Sequence, residues 1–272
     1  MPPPISPDAP AGPAPEHVQR DQPAGVPPLA LTGERTLPDV PAENYWFRRH
    51  LAVYEWAADR CAGLDVVDMA CGEGYGSEVL ARRARRVVGV DANPEAHEHA
   101  RLRYARAGIR FERELIDSFD EPSDAVVFLQ TVEHVEDPAA TLCHLRSLLR
   151  PGGRAYVSTP NVLTLAPPGA PKSGNPWHLR EYRPEEFRSL CEQCFEEVEL
   201  YGLFHAGKLR LHELALGLGW DSVHRALGIT RAFYDRFTPA ISSRDFALRP
   251  ARPGSPGERR LEGALDLVAV LR

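Results

Sequence analysis

Apolar positions along this chain fall into short runs bounded by turn residues, and the runs are separated by stretches whose apolar residues recur at helical spacing. Runs near 65–69, 86–91, 108–112, 124–129, 153–158, 195–201 and 264–271 each predict a buried strand. Helices are expected between the first six, and strands alternating with helices build a parallel sheet wound on both faces. The final run, Leu265 to Leu271, has no helix after it. Upstream, Phe47, Leu51, Tyr54 and Ala58 mark one face of a helix that opens at Asn44 and continues through Cys61. The expected fold class is α/β, a doubly wound, seven-stranded, mostly parallel sheet.

Two segments exceed what a plain connection needs. Thr159 to Arg183 follows the fifth strand and carries Asn175-Pro176-Trp177-His178. A second insertion, about 203–261, holds helical patterns at Leu209 to Leu218 and Ser222 to Leu227, then a Pro/Arg/Gly loop at Arg249 to Glu258, and is expected to form a helical cap over the site. The first thirty or so residues are dominated by Pro, Ala, Gly and polar side chains. With so little to bury, 1–31 is expected to be a disordered arm. Residues 32–60 would then form an N-terminal helical lid and 61–272 the main domain.

Composition narrows the function. Of the 272 residues 43% are hydrophobic, enough for one sizeable core. A net charge of −6 argues against a nucleic-acid surface, and the arginines from Arg82 to Arg86 read as the solvated face of a helix. No apolar segment approaches membrane-spanning length, and no basic start followed by an apolar stretch marks a secretory signal. Five cysteines, an odd count without regular spacing, suit a reducing cytoplasm. Cys191-Glu192-Gln193-Cys194 is a lone C-x-x-C with no second pair, so no metal site is expected.

The stretch that carries chemistry is Val66-Val67-Asp68-Met69-Ala70-Cys71-Gly72-Glu73-Gly74-Tyr75-Gly76, an apolar strand ending in an acid and running into a glycine-rich turn. Glycines there let a ligand approach main-chain atoms, and a helix from Ser77 to Arg86 would point its N-terminus at that ligand. A dinucleotide fingerprint needs G-x-G-x-x-G/A, but counting from Gly72 and Gly74 puts Ser77 at the third position, with a glycine one place early at Gly76. The spacing therefore argues against NAD. Asp91 closes the next strand, where a carboxylate can take both hydroxyls of an unphosphorylated ribose.

With Asp68 two residues before Ala70, this turn resembles the first motif of the class I S-adenosylmethionine (SAM) methyltransferases, acid-x-G-x-G-x-G, with Ala70 in place of the first glycine. Gln130 with Thr131-Val132-Glu133-His134 after the fourth strand, and Leu148-Leu149-Arg150-Pro151-Gly152-Gly153 before the fifth, are similar to later motifs of that family. The resemblance covers about 59–161 and implies a Rossmann-like fold whose last strand slots antiparallel between the fifth and sixth. It implies SAM as cofactor, with Asp68, Ala70, Cys71, Gly72, Gly74 and Gly76 around its methionine portion and Asp91 with Ala92 at the ribose. Gln130 and Thr131 would border the methionine side, and Glu114, chosen over Glu112 and Asp117, would meet the adenine. Tyr45 to Arg49 resembles an N-terminal lid in which Arg49 pairs with the cofactor carboxylate; a helix packing its aromatics on the sheet edge is the other reading. A wider resemblance, from about Thr32 to the C-terminus, is to actinobacterial glycan and polysaccharide O-methyltransferases. It rests on Thr32 to Thr36, Asn44 to His50, Ser158 to Asn161, Asn175 to His178, Gly202 to His205 and Leu265 to Val268, and it implies a sugar hydroxyl as acceptor.

If the acceptor is a hydroxyl, a base adds about 10² to 10⁴ in rate, and histidine suits that task near neutral pH. His134 and His178 are the candidates, with Glu133 and Glu181 as carboxylate alternatives, while Trp177 and Tyr182 offer flat apolar faces to a sugar ring. Two other functions stay open: a small-molecule O- or N-methyltransferase of quinone or natural-product type, and a SAM-binding protein without turnover.

Overall fold

The computed structural model describes residues 15–32, 35–251 and 261–272. Ten strands are present among them: β1 (Glu16–His17), β2 (Leu29–Ala30), β3 (Asp65–Met69), β4 (Arg86–Val90), β5 (Ile109–Glu112), β6 (Ser123–Leu129), β7 (Leu149–Pro160), β8 (Val198–His205), β9 (Phe246–Pro250) and β10 (Asp266–Leu271). The helices are α1 (Asn44–Arg60), α2 (Tyr75–Leu80), α3 (Pro94–Tyr104), α4 (Pro138–Ser147), α5 (Val162–Leu165), α6 (Pro184–Cys191), α7 (Gly207–Gly217), α8 (Trp220–Ala226) and α9 (Thr230–Phe237).

The main sheet runs in the order β5-β4-β3-β6-β7-β10-β8-β9. Strands β3 to β7 pair in parallel, and β10 lies antiparallel between β7 and β8, as the family resemblance implies. Both faces are covered, so alternate residues of one strand enter different cores. Val67 and Met69 pack with Phe128, Leu142 and Phe187, whereas Val66 packs with Val53 and Ala57 of α1 and with Val127.

Several expectations change. The sheet has eight strands rather than seven, because the end of the insertion read as a cap returns as β9 along β8. Its helical part is α7 to α9; the Pro/Arg/Gly loop falls mostly outside the described residues. No helix fills the β5–β6 connection. That short segment, Arg113 to Pro122, sends Ile116 and Phe119 into the core, but its apolar residues are too few to mark a helical face. The helix expected from Ser77 to Arg86 is α2, which starts at Tyr75 and ends at Leu80.

The arm is a further correction. Residues 1–14 lie outside the described residues, but from Glu16 to Ala30 the chain forms a hairpin on α3, with Val26 and Leu29 buried. The His99 ring Nδ1 donates to the Pro27 carbonyl at 2.8 Å, Arg103 donates to the Arg20 carbonyl at 3.0 Å, and the Tyr104 hydroxyl reaches Gln19 at 3.3 Å. A few apolar anchors and backbone carbonyls are enough to order a segment whose average composition predicts disorder.

Cysteine pairing also departs from expectation. Cys143 of α4 and Cys194 are joined as a disulfide, while Cys61, Cys71 and Cys191 are free and buried. Cys191 sits on α6 facing the core, so the C-x-x-C residues do not act as a pair, and burial pushes the Cys191 thiol up to about 12. Among the described residues no helix is long and apolar enough to cross a membrane.

Candidate active site

The carboxyl ends of the parallel strands gather the residues singled out by the sequence, and the glycine turn lies between β3 and α2. Gly72 (φ 58°) opens on free space: a side chain there would meet nothing within 4 Å. Its N–H donates to Asp91 Oδ2 at 2.8 Å, and Asp91 Oδ1 accepts from Asn93 N at 2.9 Å, so the acid at the end of β4 is oriented against the turn. Ala92 lies exposed between them. Gly74 and Gly76 are also required for packing. A Cβ on Gly76 would come within 2.1 Å of the Tyr54 ring, so glycine at this point lets α1 close on α2. Gly74 (φ 94°) opens α2 against Ala100 and Phe111.

Asp68 lies beneath this turn. It is fully buried, accepting from Ser77 Oγ at 2.7 Å and the Tyr54 hydroxyl at 3.2 Å, and burial pushes its carboxyl up to about 7. It therefore shapes the turn from below rather than meeting a ligand directly. Ala70 occupies the left-handed region at φ 57°, where a glycine would be free of strain, and the neighbouring Cys71 thiol is buried. Across the cleft, Gln130 also takes a positive φ of 53°, its N–H donating to the Ser158 carbonyl at 3.0 Å. Thr131 Oγ1 bonds back to the Leu129 carbonyl at 3.0 Å. Glu114 is exposed two residues beyond β5.

Arg49 requires a correction. Its guanidinium is buried and committed to Asp266, with Nε to Oδ2 at 2.8 Å and Nη2 to Oδ1 at 2.5 Å, and Nη2 also donates to the Leu265 carbonyl. The expected partner, a cofactor carboxylate, gives way to an internal one because Asp266 opens β10 with no exposure to water and needs a counter-charge. The α1 aromatics follow the packing reading: Tyr45 and Phe47 are buried, and the Tyr45 hydroxyl meets His205 Nε2 at 2.8 Å.

The acceptor side is built from two loops. After β6 the chain turns at Thr131 to His134, and the Glu133 carbonyl accepts from Leu179 N (2.9 Å) and Arg180 N (3.2 Å). His134 Nδ1 donates to the Trp177 carbonyl at 2.8 Å. Those bonds bring His134 and His178 together, ring centroids 5.1 Å apart. His178 Nδ1 donates to Glu181 Oε1 at 2.7 Å, and its Nε2 faces Asn175 Nδ2 at 3.0 Å. Burial holds the His178 imidazole below its usual range despite that carboxylate. Glu133 is 1% exposed, and burial pushes its carboxyl up to about 8. The Thr159 hydroxyl lies beside it, yet no hydrogen bond reaches Glu133 Oε2. Tyr182 is buried at the end of the same loop, where its carbonyl accepts from Val162 N at 3.1 Å.

Sequence reasoning gave no role to Tyr54, Ser77, Asp266 or Asn161. Asn161, fully buried, donates to the carbonyls of Leu261 (2.9 Å), Glu262 (3.2 Å) and Ala264 (2.9 Å), pinning the chain before β10 to the end of β7. The available signal was an acid opening an otherwise apolar strand for Asp266 and an amide just beyond a strand end for Asn161.

The model of a methyltransferase domain family matches residues 42–213. The chain belongs to this family. It is a SAM-dependent methyltransferase. A protein of Mycolicibacterium smegmatis named a probable S-adenosylmethionine-dependent methyltransferase is 39% identical over 248 residues, 89% of this chain and 94% of that one. A Mycobacterium tuberculosis protein of the same description is 41% identical over 271 residues, 94% of this chain and 96% of the relative. A ubiquinone biosynthesis O-methyltransferase of Aeromonas salmonicida is similar over a shorter span, 34% identical over 116 residues, 39% of this chain and 49% of that protein. Among solved structures, a SAM-dependent methyltransferase of Thermotoga maritima shares the fold with a TM-score of 0.55 at 16% identity, covering 84% of this chain and 93% of that one. The methyltransferase takes SAM as its cofactor, and the space directly over Gly72, beside the oriented Asp91 carboxylate, is unobstructed.

Proposed function

We propose that this methyltransferase transfers the methyl group to a hydroxyl of a sugar or polysaccharide precursor. SAM supplies an electrophilic sulfonium methyl. Gly72 and Asp91 would hold the nucleoside end, with Gln130 and Thr131 along the methionine side and Glu114 at the adenine. The observation that carries the reading is the His134–His178 pair beside Trp177. Each imidazole is anchored through Nδ1 at the mouth of the cleft, next to an indole that is 45% exposed and able to face the C–H groups of a sugar ring. Activation of the acceptor hydroxyl falls to Glu133, His134 and His178. The proposed setting is the cytoplasm, a reading that the odd cysteine count suggests and that the Cys143–Cys194 disulfide weighs against.

The test is methyl transfer by the purified protein to a panel of oligosaccharides. His134→Gln keeps a hydrogen-bonding group but removes the imidazole. It should lower turnover by about 10² or more while SAM affinity stays within a few-fold. Methylation of a phenol or amine in place of every glycan would favour the quinone or natural-product reading, which the partial likeness to a ubiquinone biosynthesis O-methyltransferase supports.

A further inference from the structure

We infer that Glu133, His134 and His178 form a binding site for a divalent transition-metal cation of the zinc class, on which the acceptor hydroxyl is activated. This deepens the reading above and rests on it for the identity of the acceptor. One carboxylate oxygen and one nitrogen from each ring lie within 4.8 Å of one another. Two independent features mark the trio as a ligand set. The first is Glu133 Oε2, a carboxylate oxygen sealed from water with no well-formed hydrogen bond, whose one neighbouring donor is the Thr159 hydroxyl. A buried carboxylate left this way is costly unless a cation or ordered water completes it.

The second is how the imidazoles are held. His134 Nδ1 faces a backbone carbonyl and His178 Nδ1 a carboxylate, and neither acceptor can donate, so each Nδ1 carries the proton and each Nε2 keeps its lone pair. A metal-binding histidine is oriented in this way, with its other ring N–H given to a carboxylate or a carbonyl. Glu181 is itself fixed by Ser173 N at 2.8 Å and by the Ser173 hydroxyl. The His178 lone pair now faces the Asn175 amide, and a cation would take the place of that amide.

The donor set chooses the metal. Two imidazoles and one carboxylate suit Zn²⁺ and its first-row neighbours, whereas Mg²⁺ and Ca²⁺ prefer oxygen ligands throughout. Three protein ligands leave a position open for the acceptor oxygen. Coordination there lowers the pKa of the hydroxyl, whose proton passes to solvent; the oxygen–methyl bond then forms as the sulfur–methyl bond breaks, leaving S-adenosylhomocysteine. The site escapes sequence reading because His178 is far from Glu133 and His134 along the chain, joined to them only when the loop after β7 folds back.

Titration calorimetry on the full chain, stripped with a chelator and then given Zn²⁺ alone, tests the site. One equivalent should bind, with no comparable heat from Mg²⁺. Glu133→Gln and His178→Ala should each weaken Zn²⁺ by about 10²-fold or more, and Glu181→Gln by about 10- to 100-fold through loss of the orienting carboxylate. Asn175→Ala should bind Zn²⁺ at least as tightly as the parent, because it removes only the competing amide. SAM affinity, measured in parallel, should stay within a few-fold in all four variants. Lack of stoichiometric Zn²⁺ binding by a protein that still binds SAM would overturn the inference, as would binding that the Glu133 and His178 variants leave unchanged. Zn²⁺ bound at these residues in a protein that methylates no glycan would support the site and overturn the sugar assignment.

Discussion

The two halves of the sheet are assembled differently. On the proposed cofactor side, β3 to β6, each candidate group comes from a strand end or from the turn directly after it, and Asp91 reaches Gly72 across 19 residues. On the acceptor side, Arg49 meets Asp266 across 217 residues and His134 meets the Trp177 carbonyl across 43. The first half is a local motif repeated along a parallel sheet; the second is a convergence of distant segments. A local motif can be recognised from spacing, whereas convergent sites depend on bonds between loops that no spacing encodes.

Breaking the longest link gives the largest expected effect. Arg49→Ala leaves Asp266 charged and buried without a partner and should destabilise the fold by about 3 to 5 kcal/mol in denaturant titration. Arg49→Met with Asp266→Leu should recover most of that loss. If Arg49→Ala instead leaves stability unchanged and weakens SAM, the arginine serves the cofactor and the contrast between the halves narrows.

On the cofactor side the matching buried acid has no cation. Asp68 holds its proton up to about pH 7 because of burial, against the hydrogen bonds from Ser77 and Tyr54 and with the charge of Asp91 adding to the rise. The folded state therefore binds this proton more tightly than the unfolded chain. Its contribution is full below about pH 4, fades as pH rises toward 7 and is lost above that, a change on the order of 4 kcal/mol. Unfolding free energies measured from pH 4 to 8 should show a smaller decline in Asp68→Asn than in the parent. Parallel declines would show that Asp68 stays ionised throughout.

Removing 1–31 tests whether the hairpin on α3 is part of the cofactor half. Loss of the buried Val26 and Leu29 outweighs the entropy regained, for a net cost of about 1 to 2 kcal/mol and a Tm lower by several degrees. An unchanged Tm would restore the reading of a free arm. The smallest effect is a gain: Ala70→Gly relieves a left-handed alanine and, after the backbone entropy of glycine, should raise stability by about 0.5 to 1 kcal/mol. A loss there would mean that the Ala70 methyl packs better than its backbone strain costs.

By itself, the sequence determined the alternation of strands and helices, the glycine turn with Asp68 and Asp91, and the antiparallel last strand through the family pattern. These are legible because period and spacing act over a few residues, and a parallel βαβ unit brings neighbouring strand ends together whatever else the chain does. Tertiary structure decided which acids are buried, that Gly76 packs on Tyr54 while Gly72 faces open space, that Arg49 belongs to Asp266, and that a Pro-rich arm lies down on α3. It also decided that Glu133, His134 and His178 share one place. Each depends on which distant segment excludes water from a given atom, and exclusion of water is a property of the packed molecule, not of any stretch of residues.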